Sequence, residues 1–84
     1  MMAVTVLGAG SWGTTLAMIA ARAGNPAVLW ARDGMVAAAI QERRRNERYL
    51  PEVEIPVGVT VLPDLERALS GARIVVFAVP CAAM

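Results

Sequence analysis

The sequence predicts an α/β fold, a parallel sheet with helices laid on it, from three observations. Four strand-sized runs of β-branched and apolar residues stand at 3–7, 27–30, 59–62 and 74–79. Between them lie segments whose apolar residues recur three and four positions apart, the spacing of one face of a helix. Where the first strand run meets the first helical segment, the chain reads Gly8-Ala9-Gly10-Ser11-Trp12-Gly13, with glycines at the offsets of a tight strand-to-helix turn.

The elements follow in order. Ala3-Val4-Thr5-Val6-Leu7 is the first strand. From Ser11 to Ala23 the residues Trp12, Leu16, Ile19, Ala20 and Ala23 form a helical stripe with Ser11 at its start. Gly24-Asn25-Pro26 supplies a left-handed cap, a turn former and a residue that cannot continue a helix, so this helix stops there. Ala27-Val28-Leu29-Trp30 is the second strand, and Gly34 to Arg44, with Met35, Val36, Ala39 and Ile40 on one side, the second helix.

Asn46 to Gly58 holds Pro51, Pro56 and no helical period, and is expected as an irregular connection. Val59-Thr60-Val61-Leu62 follows as the third strand. Pro63 to Gly71 reads as a compact helix with Pro63 and Asp64 in its first turn. Ile74 to Val79 is a continuous apolar run typical of a parallel strand covered on both faces, and Pro80 ends it. Right-handed crossovers then place the first strand centrally, the second and third to one side and the fourth to the other.

Composition narrows the class. Hydrophobic residues make up 57% of 84 residues and mean hydropathy is +0.54, yet the apolar runs are strand-sized, short of the 18 or so residues that cross a bilayer. No signal-peptide pattern opens the chain, so a soluble cytoplasmic protein with no membrane span is expected. The eight cations, all Arg, face seven acids for a net charge of +1, which gives no reason to invoke nucleic acid. Arg43, Arg44 and Arg45, flanked by Glu42 and Glu47, read as a solvated helix end. A single cysteine, Cys81, rules out an internal disulfide and a cysteine-based metal site; a small buried residue is its favoured role and a reactive thiol the alternative. No metal is expected.

The glycine turn carries the chemistry. Gly8 lets the chain reverse at the strand end, Gly10 keeps side-chain bulk away from an approaching pyrophosphate, and Gly13 lets the helix lie close on the sheet. First-turn N–H groups near Gly10, Ser11 and Trp12 lack intrahelical acceptors, so they and the helix dipole favour an anion. The predicted fold is therefore a Rossmann-type parallel sheet, the first half (β-α-β-α-β-α-β) of a dinucleotide-binding domain, since a complete domain runs to roughly 150 residues. After the second strand come Arg32 and Asp33. An acid there accepts hydrogen bonds from the ribose hydroxyls of NAD, whereas an Arg pairs with the 2′-phosphate of NADP. Asp33 stands at the usual acid spacing; Arg32 is the favoured contact, with NADP accepted, and its alternative is an exposed loop cation paired to Asp33.

Four blocks, GAGSWGTTLA at Gly8 to Ala17, LWARD at Leu29 to Asp33, NERYLP at Asn46 to Pro51 and IVVFAVP at Ile74 to Pro80, resemble in order the N-terminal part of bacterial NAD(P)-dependent glycerol-3-phosphate dehydrogenase. The Ser-Trp-Gly inside the turn and Asn46-x-x-Tyr49-Leu50-Pro51 are the specific parts. The resemblance implies that Ser11 and Trp12 border the cofactor pyrophosphate, that Arg32 lies on the adenosine side and that Tyr49 stands near the cofactor. Read from the residues alone, Tyr49 could equally pack with Leu50 against the sheet. Pro80 resembles the Val-Pro turn beside the nicotinamide half, but Cys81 stands where the family typically has Ser, which leaves a hydroxyl contact in doubt.

The resemblance further implies an enzyme that interconverts dihydroxyacetone phosphate and sn-glycerol 3-phosphate with NADP or NAD, in phospholipid biosynthesis. A homodimer is compatible with it. That chemistry uses lysines to polarise and protonate the substrate oxygen, and this sequence has neither lysine nor histidine. No catalytic residue is therefore expected within residues 1–84, which form the N-terminal part of the NAD(P)-binding domain. The helical substrate domain is absent from them, and the fragment alone is expected to be inactive. Two alternatives stand beside this reading: another NADP-linked reductase acting on a keto acid, and a non-catalytic nucleotide-binding module.

Overall fold

The computed structural model describes residues 2–78. Four strands, β1 (Val4–Leu7), β2 (Ala27–Trp30), β3 (Val59–Leu62) and β4 (Ile74–Phe77), alternate with three helices, α1 (Ser11–Arg22), α2 (Gly34–Arg43) and α3 (Leu65–Leu69). All pairings are parallel and the sheet order is β3-β2-β1-β4, the order expected from right-handed crossovers. Val6 pairs with Leu29 and Val76, and Leu29 with Val61, so alternation places one row of apolar side chains across the sheet.

That row forms the core. Val6, Leu29, Val59 and Val61 are buried against Ala17 and Met18 of α1, Ala37 and Ile40 of α2, and Ile55 from the connection before β3. On the opposite face Thr5 is buried and donates its hydroxyl to the Ala68 carbonyl at 2.6 Å, tying α3 to the sheet. Trp30 donates its indole N–H to the Pro63 carbonyl at 2.9 Å on that same face.

Several boundaries move, each for a local reason. The N-cap of α1 is Gly10, without a side-chain bond; Ser11 is the first helical residue and its carbonyl accepts from the Thr15 hydroxyl at 2.8 Å. The third helix is shorter than Pro63 to Gly71, because Asp64 is its N-cap, accepting from the Glu66 and Arg67 amides at 3.0 and 3.5 Å, and Ser70 is already extended. The described part of the fourth run, residues 74–78, is not covered on both faces: Ile74, Val75 and Phe77 are exposed, since among the described residues α1, α2 and α3 pack toward β1, β2 and β3; Val79 lies outside the described residues. At the opposite edge of the sheet, the Gln41 side-chain oxygen accepts from the Val61 amide of β3 at 2.8 Å.

The arginine run also departs from a uniformly solvated helix end. Arg43 does pair with Glu47 at 2.6 Å, and that contact raises its pKa above the ordinary value. Arg44 turns back. Its backbone sits in the left-handed region at φ 58, closing α2, and its half-buried guanidinium donates to the carbonyls of Val59 at 2.6 Å, Ile55 and Gln41 at 3.4 Å, and Pro56. A connection broken by Pro51 and Pro56 leaves carbonyls without ladder partners, and a five-donor guanidinium collects them.

Candidate functional site

A cleft of about 660 Å³ opens at the carboxyl ends of β1 and β2 and extends to Ala78 just past β4, beside the β1–β4 boundary where this parallel sheet reverses its strand order, the place where such sheets hold ligands. Gly8 to Trp12 form one wall, Trp30 to Asp33 and Val36 another, with Tyr49 and Ala78 at the margins. Gly8 has φ 120, a conformation that a side chain rarely tolerates. Gly13 does not line the cleft; it sits beneath, where an added Cβ would lie 1.9 Å from the Gly8 carbonyl oxygen. An added Cβ at Gly10 would meet nothing within 4 Å, so this position borders open space on the cleft side.

Backbone donors converge here. Among the described residues the amides of Gly10, Ser11 and Trp12 find no protein acceptor, while the Thr14 amide opens the helical ladder by bonding to the Gly10 carbonyl at 3.0 Å. N–H groups left bare at the positive end of a twelve-residue helix favour a negative charge. Arg32 is exposed at the far wall, and the Arg43–Glu47 contact is the only ion pair among the described residues. The alternative pairing of Arg32 with Asp33 is thus not formed. Asp33 instead caps α2, its Oδ1 accepting from the Met35 and Val36 amides at 2.9 and 3.3 Å.

The connection after α2 reaches the cleft through one motif. Leu50 turns inward and packs on the core, whereas Tyr49 is 48% exposed and lines the cleft, with the Arg48 guanidinium 5.2 Å from its ring centroid. Asn46 is buried beneath them; its carboxamide N–H groups donate to the Ala9 carbonyl at 2.7 Å and the Thr14 hydroxyl at 2.9 Å.

Six of the eight residues singled out from the sequence, Gly8, Gly10, Ser11, Trp12, Arg32 and Tyr49, therefore share one cleft. Gly13 supports it, and Pro80 lies outside the described residues together with Cys81. Sequence reasoning missed Trp30, Ala31 and Val36 as lining residues. Their places at the carboxyl end of β2 and in the first turn of α2 were the available signal. It also missed the burial of Asn46, for which a short polar side chain among charged neighbours gives no signal. Among the described residues no group of three acids, histidines or cysteines gathers to hold a metal, and no helix is long and apolar enough to cross a membrane. With no lysine or histidine in the chain, the cleft can bind and orient but offers no ordinary neutral-pH proton carrier.

The chain is similar to known proteins. A family described as NAD-dependent glycerol-3-phosphate dehydrogenase N-terminus matches residues 3–84. The chain is similar to glycerol-3-phosphate dehydrogenases [NAD(P)+] of Corynebacterium kroppenstedtii, 55% identical over 95% of this chain and 24% of that protein, and of Deinococcus radiodurans, 53% identical over 93% and 24%. Among solved structures, glycerol-3-phosphate dehydrogenase of Coxiella burnetii superposes with a TM-score of 0.85 at 34% identity, over 90% of this chain and 23% of that one. The enzyme of Saccharomyces cerevisiae gives 0.84 at 30% identity, over 96% and 27%. The chain thus spans about a quarter of the length of these relatives. The glycine turn, the strand order and these likenesses together place the chain in the NAD-dependent glycerol-3-phosphate dehydrogenase family, as a member of its N-terminal part.

Proposed function

We propose that this chain is the N-terminal part of the cofactor-binding domain of a cytoplasmic enzyme that interconverts dihydroxyacetone phosphate and sn-glycerol 3-phosphate with NADPH or NADH. The observation that carries the reading is the trio of amides at Gly10, Ser11 and Trp12, bare among the described residues, on the wall of a cleft whose other side bears the unpaired Arg32. Donors, open space over Gly10 and a cation on another wall of the same cleft suit a diphosphate with an adenosine on the Arg32 side. The cofactor, when bound, supplies the hydride.

In this reading the chain's own residues bind and orient. Gly8 and Gly10 admit the diphosphate to the backbone, and the amides of Gly10 to Trp12 neutralise it. Arg32 grips the 2′-phosphate of NADP, and Tyr49 borders the same cleft. Pro80 is assigned to the nicotinamide side by the family resemblance alone. The lysines that handle the substrate proton and the helical domain that encloses glycerol phosphate come from sequence other than these 84 residues.

Titrating the full-length enzyme with NADPH and NADH tests the cofactor assignment. Arg32→Ala is expected to weaken NADPH more than NADH by about 1.5–3 kcal/mol, the loss of a charge-assisted contact. Equal loss for both cofactors would remove Arg32 from the phosphate. Turnover with dihydroxyacetone phosphate, and none with keto acids, is the result expected of the substrate assay; the reverse would hand the fold to a different reductase.

A further inference from the structure

We propose that Asn46 is a positioning residue for the cofactor diphosphate, acting through the Ala9–Gly10 peptide, and this rests on the reading of the glycine turn as the diphosphate seat. The side chain is 2% exposed, among the most buried polar groups of the chain. Both of its N–H groups are spent on the glycine turn and the helix that follows it, at the Ala9 carbonyl (2.7 Å) and the Thr14 hydroxyl (2.9 Å). Its oxygen accepts from the Tyr49 amide at 3.4 Å, and its own carbonyl accepts from the Leu50 amide at 2.7 Å. The carboxamide thus joins the segment that carries Tyr49 to the middle of the anion seat.

The lever is amide planarity. In a trans peptide the C=O and the following N–H point to opposite sides, and the chain has no cis bond among the described residues. Holding the Ala9 oxygen inward on a buried donor therefore turns the Gly10 N–H outward. Without that donor, the plane can rotate about the Cα–C bond of Ala9 and the N–Cα bond of Gly10, and Gly10 imposes little steric restraint on the second. A rotated plane would offer a carbonyl oxygen in place of an N–H, and two like charges would meet.

Asn46→Asp gives the discriminating test, because a carboxylate cannot donate to the Ala9 oxygen and repels it, whereas a protonated carboxyl donates once. None of the wild-type partners, Ala9 carbonyl, Thr14 hydroxyl and Tyr49 amide, titrates between about pH 5 and 8, and the charged groups that line a hollow with Asn46, namely Arg43, Arg45, Glu47 and Arg48, are common to wild type and variant, so the wild-type profile controls for them. Burial raises a carboxyl pKa toward that range. In the full-length enzyme, NADH affinity of Asn46→Asp is expected to fall at least tenfold at about pH 8 and to recover as the pH is lowered toward about 5, while the wild type changes little over that range. Asn46→Ala is expected to lose affinity at both pH values, and Thr14→Ala, which leaves the Ala9 contact, to stay within twofold of wild type. Binding by the folded Asp variant that is unchanged, or equally weak at every pH, overturns the proposal. So does loss of the circular-dichroism signal of the fold in both Asn46 variants, which would make Asn46 a folding residue. Failure of the wild type itself to bind NADH sinks the cofactor reading instead, and the two outcomes are read from separate samples.

Discussion

Gly13→Ala in the full-length enzyme is expected to abolish measurable NADH binding and to lower the melting temperature by several degrees. The new methyl carbon would sit 1.9 Å from the Gly8 carbonyl oxygen, 3.1 Å from the Gly8 carbonyl carbon and 3.2 Å from the Ala78 methyl. The first two are backbone atoms, so no rotamer change relieves them. Either α1 lifts from the sheet by about an ångström or Gly8 leaves its φ of 120. Overpacking of this kind costs about 1–3 kcal/mol and sometimes more. Both routes also displace the amides of Gly10 to Trp12, so affinity and stability fall together. Calorimetric titration alongside a thermal melt would check it, and a variant matching wild type in both would show that the close approach of α1 to β1 is not needed.

The second large effect is expected at Arg44. Removing its guanidinium in Arg44→Ala strands the carbonyls of Ile55 and Val59 and leaves that of Pro56 with the Val59 amide alone, and hydrogen bonds to a charged donor contribute about 1.5–3 kcal/mol each when both partners are held. Half-burial and access of water to the freed carbonyls reduce the sum, leaving a loss of about 2–4 kcal/mol. Arg44→Gly separates the two roles of the residue. It deletes the same donors but suits the left-handed φ of 58, so it should be about 1 kcal/mol less damaging than alanine. Chemical denaturation of both variants is the measurement; wild-type stability in either would mean that the carbonyls are as well served by water. Arg44→Lys should rescue little, because one ammonium cannot span carbonyls on both sides of the connection.

The contrast between these two positions explains what could be read in the residues and what could not. Gly13 is legible because its demand is local: a fixed offset from Gly8 within one turn. The strands β2 and β3 fall at their expected bounds, 27–30 and 59–62, since β-branched runs between turn formers need no distant information. Strand order followed from crossover handedness. Arg44 was illegible because its partners lie 11 to 15 residues away, in a proline-broken stretch whose orphan carbonyls leave no mark on an arginine. Tyr49 and Leu50 show the same limit at close range. Adjacent apolar rings and chains look alike in a string, and only the Asn46–Leu50 bridge, which reverses the segment, sends Leu50 to the core and Tyr49 to the cleft. Asp33 was ambiguous for another reason, because capping a helix and accepting from a ribose ask for the same carboxylate at the same place.

The side chain of Gln41 gives the sheet a direction. By occupying the Val61 amide at the rim of β3, it blunts that border against any incoming ladder, whereas the apolar β4 at the other border, with Phe77 73% exposed, keeps a surface suited to accretion. The two borders of the β-layer are therefore unlike: one has an amide already taken up by a side chain, and the other presents apolar residues.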